Sequence, residues 1–373
     1  MIPKKIELNF KTQFRDHDLV KKALEEVHKI TTQHWVLMEI CGGQTHAIMQ
    51  YGLHELLPSQ IELVHGPGCP VCVTSLECID KAIVIASQPN VIFTSYGDML
   101  RVPGSGRDLF GVRASGGDVR VVLSPLDAVR IAQENPDKEV VFFAIGFETT
   151  APANIMSVIK AQHMKLKNYS MLISQVRVPP AICTILSSPH NRVQAFLAAG
   201  HVCAVMGYHE YEPISLKFHT PIVVTGFEPL DLVKGILMTI RQLEHGTYKT
   251  QNAYTHVVTQ KGNITAQELI QKIYSSCDQQ WRGIGVISNS GWKLRPEYSI
   301  YDAEKRFELK SIKTQESNVC IAGLILQGIK KPTECPAFRH ECTPQNPLGA
   351  TMVSKEGTCA AYYHYTSSDS LTS

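Results

Sequence analysis

Trp35-Val-Leu-Met-Glu-Ile40 runs straight into Cys41-Gly-Gly-Gln-Thr-His46, an apolar run of strand length that ends on a thiol and two glycines. Seven more runs share its length and β-rich character: Ile61-Glu-Leu-Val-His65, Val91-Ile-Phe-Thr-Ser95, Val119-Arg-Val-Val-Leu123, Val140-Val-Phe-Phe-Ala-Ile145, Tyr169-Ser-Met-Leu-Ile-Ser174, Ala195-Phe-Leu-Ala-Ala199 and Pro221-Ile-Val-Val-Thr225. Strands apolar on both faces and separated by crossover-length segments imply parallel sheets covered by helices. The expectation is an α/β fold with two small units, each a parallel four-stranded sheet flanked by helices, and a less regular C-terminal domain. The expected boundaries are 1–30 for an N-terminal helical segment, 31–135 and 136–250 for the two units, and 251–373 for the last domain.

Two strand ends in the second unit look alike, Gly146-Phe-Glu-Thr and Gly226-Phe-Glu-Pro. Glycine there suits a tight turn or a close backbone approach, and ligands of open α/β sheets gather outside such ends. Glu148 and Glu228 are either carboxylates placed to favour a helix N-terminus or functional groups, and the sequence leaves both readings open. After about residue 250 the chain turns polar and rich in Gly, Ser, Tyr and Arg, with four cysteines among prolines at its end. A core that small gains from a metal site.

The chain has 373 residues, 44% of them hydrophobic, and a formal net charge of +2. With no basic block, nucleic acid is not an expected partner. No apolar run approaches the roughly 18 residues of a membrane span, and charged residues stand where a signal peptide is apolar. A cytoplasmic protein is expected. In a reducing compartment eleven cysteines read as metal ligands, redox thiols and small buried groups rather than as disulfides.

The cysteines fall into two sets. Cys320, Cys335, Cys342 and Cys359 are separated by fourteen, six and sixteen residues. Four soft thiolates select zinc or an iron–sulfur cluster. Structural zinc sites usually draw cysteines in close pairs, and their absence here favours a [4Fe–4S] cluster, with zinc and unligated thiols as alternatives. In Gly66-Pro-Gly-Cys-Pro-Val-Cys72, Cys69 and Cys72 have the spacing of a redox dithiol, whose reactivity rises when a helix N-terminus lowers the thiol pKa. The same spacing is also half of a zinc site. Cys41, with Gly42 and Gly43 beside it, is open to a ligand or another chain, and His46 could serve as ligand, acid or hydrogen-bond partner; the plain alternative is a buried cysteine and a loop histidine. Cys78, Cys183, Cys203 and Cys277 are expected to pack as small apolar groups. A phosphate-binding Gly-x-x-x-x-Gly-Lys loop, a Gly-x-Gly-x-x-Gly turn and a Cys-x-x-x-Cys-x-x-Cys site are absent.

Cys41-Gly-Gly-Gln-Thr-His46, Gly66-Pro-Gly-Cys-Pro-Val-Cys-Val73, Gly146-Phe-Glu-Thr149, Gly200-His201-Val202 and the late cysteine spacing together resemble the HypD family of hydrogenase maturation proteins, over about Trp35 to Tyr363. Gln44 departs from the pattern, since some relatives carry histidine there, and it is given no ligand role. The resemblance implies a scaffold for the Fe(CN)2CO unit of [NiFe]-hydrogenases. It implies that a HypC-type small chaperone shares the iron, that a HypE-type partner delivers cyanide, and that the hydrogenase large subunit is reached through the chaperone, the chain itself being a monomer in that complex. Cys41 then matches the iron-holding cysteine, Cys69 and Cys72 the redox pair, and Cys320, Cys335, Cys342 and Cys359 the [4Fe–4S] ligands. The cluster and dithiol also look like those of ferredoxin:thioredoxin reductase, which leaves a thiol–disulfide oxidoreductase or a zinc-stapled interaction protein as rival classes. The roles of His201, Glu148 and Glu228 stay open.

Overall fold

The computed structural model describes residues 15–309 and 311–366; the second half of the expected N-terminal segment 1–30 forms the helix His17–Ile30, and its first fourteen residues lie outside the described part. Among the described residues the strands are β1 (Trp35–Glu39), β2 (Ile61–His65), β3 (Val91–Ser95), β4 (Asp118–Val121), β5 (Glu139–Gly146), β6 (Tyr169–Val176), β7 (Ala195–Ala199), β8 (Ile222–Thr225), β9 (Thr250–Asn252), β10 (Tyr274–Trp281) and β11 (Gly285–Leu294). Helices join and flank them, so the fold is α/β with parallel sheets, and all eight runs read from the sequence are strands.

The strands do not sort by chain order. One sheet runs β2-β1-β7-β8-β9 and the other β10-β11-β6-β5-β3-β4. The chain lays down β1 and β2, crosses to build β3 to β6, and returns to set β7 against β1 with Leu37 opposite Ala195. The grouping of the first four runs in one sheet and the next four in another is thereby corrected. The reason is burial: β1 is covered on both faces and needs a partner at each edge, and β7, buried at every residue, supplies the second. The stretch after residue 250 is also more regular than its composition suggests, because β9 extends the first sheet and the β10–β11 hairpin adds antiparallel strands to the second.

Alternation along β1 sends Val36, Met38 and Ile40 into a core shared by both sheets, with Phe93, Phe143, Leu172 and Phe196. Leu37 points the other way, onto the helices His17–Ile30 and Pro229–Glu244 through Val27, Leu232 and Ile236. Each such fully buried side chain contributes about 1.5–3 kcal/mol. The helix at 17–30 starts where Asp16 accepts hydrogen bonds from the amides of Asp18 and Leu19, satisfying donors that the first turn leaves free. A second core covers the far face of the second sheet around Phe142, Ala144 and Met171. Met49, Ile325, Phe338, Met352 and Ala361 form a small separate core in the C-terminal part, together with Cys342 and Cys359. Among the described residues no helix is long and apolar enough to cross a membrane.

Candidate thiol and metal site

Five strands from both sheets end at one place. β1 delivers Cys41, the segment after β2 delivers Gly68 and Pro70, and β5, β7 and β8 deliver Phe147, His201 and Phe227. With Glu356 from the C-terminal part, these residues line a cleft of about 390 Å³. The crossing of the chain at its floor demands glycine: a Cβ on Gly68 would lie 2.3 Å from the Ile40 carbonyl and the Cys41 nitrogen. Gly42 N–H donates to Gly68 O at 3.2 Å and Gly66 N–H to Glu39 O at 2.8 Å, which ties the two thiol loops side by side.

Cys41 occupies the position before the helix Gly42–Gln50 and is almost fully buried. Burial pushes its thiol up to about 12, with Glu356 and Cys69 adding to the shift. Its sulfur lies 3.8 Å from Nδ1 of His201. Burial also lowers His201, to about 4, so at neutral pH a protonated thiol faces a neutral imidazole. Phe227 packs against that imidazole at a centroid distance of 5.1 Å and closes one wall.

Cys69 and Cys72 sit on a single helical turn, Pro70–Val73, placed before the longer helix Leu76–Ala86. Both are buried and free. The expected lowering of the thiol pKa is not found at Cys72. A hydrogen bond with Cys69 and then burial push it well above its ordinary value, because four residues make too short a helix to offset desolvation. Cys72 points at the carbonyl of Ala350, 3.9 Å away.

Ala350 follows Gly349, and a Cβ on Gly349 would lie 2.4 Å from the Cys320 sulfur. That contact opens the second thiol group. Cys320, Cys335, Cys342 and Cys359 line one enclosed cavity with Ile325, Phe338 and Met352. Donors are aimed at its sulfurs: Leu348 N–H at Cys342 (3.4 Å) and the Thr351 hydroxyl at Cys359 (3.1 Å). Burial pushes Cys320, Cys342 and Cys359 up, and the other sulfurs of the set add to the shift in each. Four thiols within electrostatic reach, donors directed at them and an apolar wall fit an iron–sulfur cluster, whose positive irons reverse the cost of ionising them. Among the described residues no three His, Cys, Asp or Glu side chains converge tightly enough to hold one metal ion; the sulfurs surround a void instead.

The sequence model of the family described as HypD, Hydrogenase formation hypA family, matches residues 18–366. The chain belongs to the HypD family. It is 45% identical over 336 residues to a hydrogenase maturation factor HypD of Azotobacter vinelandii, covering 88% of this chain and 89% of the relative. It is 44% identical over 335 residues to the factor of that name from Escherichia coli strain K12, covering 90% of each, and 41% identical over 368 residues to HypD2 of Bradyrhizobium diazoefficiens, covering 96% and 97%. The HypD relatives named here are hydrogenase maturation factors.

The HypD motifs thus sit around two adjoining cavities, although His46 does not join Cys41. Its Nδ1 lies 3.2 Å from Lys355 O and its Nε2 3.4 Å from the Tyr365 hydroxyl, so it holds the loop that carries Glu356. Gln44 is buried and donates to Thr225 Oγ1 at 2.6 Å. Glu148 accepts from Val178 N–H at 2.8 Å where the helix Val178–Leu186 begins, and burial pushes it up to about 7. Glu228 pairs with Arg15. Glu148 thus sits at a helix N-terminus, whereas the Glu228 side chain makes no cap hydrogen bond to the helix Pro229–Glu244 that follows it. Cys78 and Cys203 are buried as expected, whereas Cys183 and Cys277 are half-buried. His201, Phe227 and Glu356 were not singled out as site residues by sequence; the strand-end glycine before His201, repeated before Phe227, is the signal that marks two of them.

Proposed function

We propose that the chain acts in [NiFe]-hydrogenase maturation as the scaffold on which the Fe(CN)2CO unit is assembled, with Cys41 as the iron anchor. The observation that carries this reading is continuity: the cleft of Cys41, the Cys69/Cys72 pair and the four-cysteine cavity form one path, with Cys72 against Ala350 and Gly349 against Cys320. Iron taken up from the cleft must displace the Cys41 proton, because the thiolate is the ligand. His201 is the neutral base within reach of that sulfur, and Glu356 and Phe227 help shield the cleft from water. Cys320, Cys335, Cys342 and Cys359 would hold a [4Fe–4S] cluster. When bound, the cluster supplies one-electron chemistry beside the dithiol.

The partners follow from the same reading. A HypC-type chaperone closes the Cys41 cleft and shares the iron, a HypE-type donor supplies cyanide, and the hydrogenase large subunit receives the product through the chaperone. A neighbouring open cleft, lined by Cys69, Tyr96, Arg101, Leu123 and Lys355, leaves room for such a partner, and Leu123 in it is 91% exposed. A cytoplasmic location suits free thiols. A plain thiol–disulfide oxidoreductase would leave Cys41, His201 and Phe227 without a task.

The test is anaerobic co-purification with the small partner, followed by iron and sulfide analysis and infrared spectroscopy. The expected result is four cluster irons with matching sulfide, one further iron, and cyanide and carbonyl stretches. One zinc, no sulfide and no such bands would contradict it.

A further inference from the structure

Glu39 is the anomaly of the first strand. It is fully buried in a central parallel strand, where an apolar residue would cost less than a carboxylate. Opposite it in register stands His65 at the end of β2, also buried. His65 Nδ1 hydrogen-bonds Glu39 Oε1, and His65 Nε2 lies 2.9 Å from the Tyr362 hydroxyl. The Thr45 hydroxyl donates to the same Glu39 oxygen at 2.7 Å and approaches Cys41 O at 3.3 Å. With Nδ1–H donating to the carboxylate, Nε2 is the acceptor for Tyr362 O–H, so one neutral tautomer satisfies both bonds.

The two ends of this chain fall on the two functional regions. Glu39 precedes Cys41 by two residues, and Thr45 sits on the first turn after it. Tyr362 lies on the helix Thr358–Tyr365, three residues after Cys359, and its ring meets His65 edge-on at 5.2 Å. Nothing in the chemistry at Cys41 or the dithiol uses these groups.

We propose that Glu39, His65 and Tyr362 are positioning residues that couple the four-cysteine centre to the Cys41 loop. The chain fixes the helix carrying Cys359 against the strand that ends in Cys41, and its aligned dipoles carry a change at one end to the other. The proposal rests on the reading that Cys320, Cys335, Cys342 and Cys359 hold a cluster and Cys41 the iron.

The test reads each near-isosteric variant at the far end, in the full-length protein purified anaerobically. Tyr362→Phe removes only the hydroxyl beside the cluster region. It should change the site-resolved alkylation rate of Cys41 by about fivefold, the ratio that one lost buried hydrogen bond carries, with the thermal midpoint nearly unchanged. Glu39→Gln removes a carboxylate beside Cys41. It should shift the midpoint potential of the cluster upward at unchanged iron and sulfide content, because a buried negative charge disfavours reduction. A packing role alone would leave both readouts at their wild-type values, and that result would overturn the proposal. Protein with no iron or sulfide would instead remove the cluster reading. The positioning claim would then be decided by amide exchange of the Thr358–Tyr365 helix, faster in Glu39→Gln if it holds and unchanged if it fails.

Discussion

Cys41 and His201 face each other at 3.8 Å, sulfur to Nδ1, across 160 residues of chain. β1 ends in the first and β7 leads into the second, so the pairing of those two strands makes the contact. Burial raises the thiol to about 12 and lowers the imidazole to about 4, so at neutral pH the sulfur keeps its proton and the ring stays neutral beside it.

His201→Gln keeps a polar group of similar reach but removes the base. Iron retained at Cys41 should fall by about 10–100-fold, the usual cost of losing a group that supports a ligand, with the thermal midpoint little changed. The pH dependence has a definite sign. Below about 12 the thiolate fraction of Cys41 rises about tenfold per pH unit, and an imidazole lowered to about 4 carries no proton between pH 7 and 9, so loading of both proteins should climb from pH 7 to 9 with the variant below wild type throughout. Equal iron loading of the two proteins at every pH would exclude a supporting role for His201 at the Cys41 sulfur.

Glu148 links pH to stability. Its carboxyl is held protonated up to about 7 by burial, against an ordinary value of 4.5. The folded chain keeps the proton where the unfolded chain has lost it, so stability falls as pH rises from about 4.5 to 7 and stays at the lower level above. The linked loss is roughly 3 kcal/mol. Glu148→Gln retains an acceptor for Val178 N–H and should therefore gain stability at pH 8 and little at pH 4.5 in denaturant unfolding. A gain equal at both pH values would contradict the account.

Gly349→Ala replaces none of the four cysteines, yet its Cβ would sit 2.4 Å from the Cys320 sulfur. Overpacking of this kind costs about 1–3 kcal/mol, and the variant should lose most of its iron and sulfide while Cys41 and the dithiol stay accessible to the same reagents as before. Full cluster content would show that Cys320 does not face that cavity when loaded.

Cys69 and Cys72 should both be alkylated after reduction and neither after mild oxidation. Mass spectrometry of trapped peptides reads both states. Two thiols inert under both conditions would make the pair structural.

The strands were legible because a parallel core strand is a continuous apolar run: Val140–Ile145 and Ala195–Ala199 need no context to be recognised. β10 and β11 were not, since half-exposed Ser275 and Gln279 and exposed Asn289 in an antiparallel hairpin look like loop. Which strands pair was equally hidden, because the β1–β7 contact depends on packing between segments far apart in the chain. The cysteines were visible as residue types at telling spacings. His201 reaches the cleft only through that tertiary pairing, Glu356 only because the C-terminal part packs on the Cys41 loop, and His46, though five residues from Cys41, is turned by the helix toward Lys355 and Tyr365.

The measurement that bears most directly on the scaffold role is infrared spectroscopy of the Cys41→Ala protein co-purified with its small partner. Alanine is tolerated at this buried position, and the cluster ligands lie in the other cavity, so the protein should stay brown with full sulfide content while the cyanide and carbonyl bands vanish and hydrogenase maturation stops. Undiminished cyanide and carbonyl bands in Cys41→Ala would contradict the account and move the iron to Cys69 and Cys72.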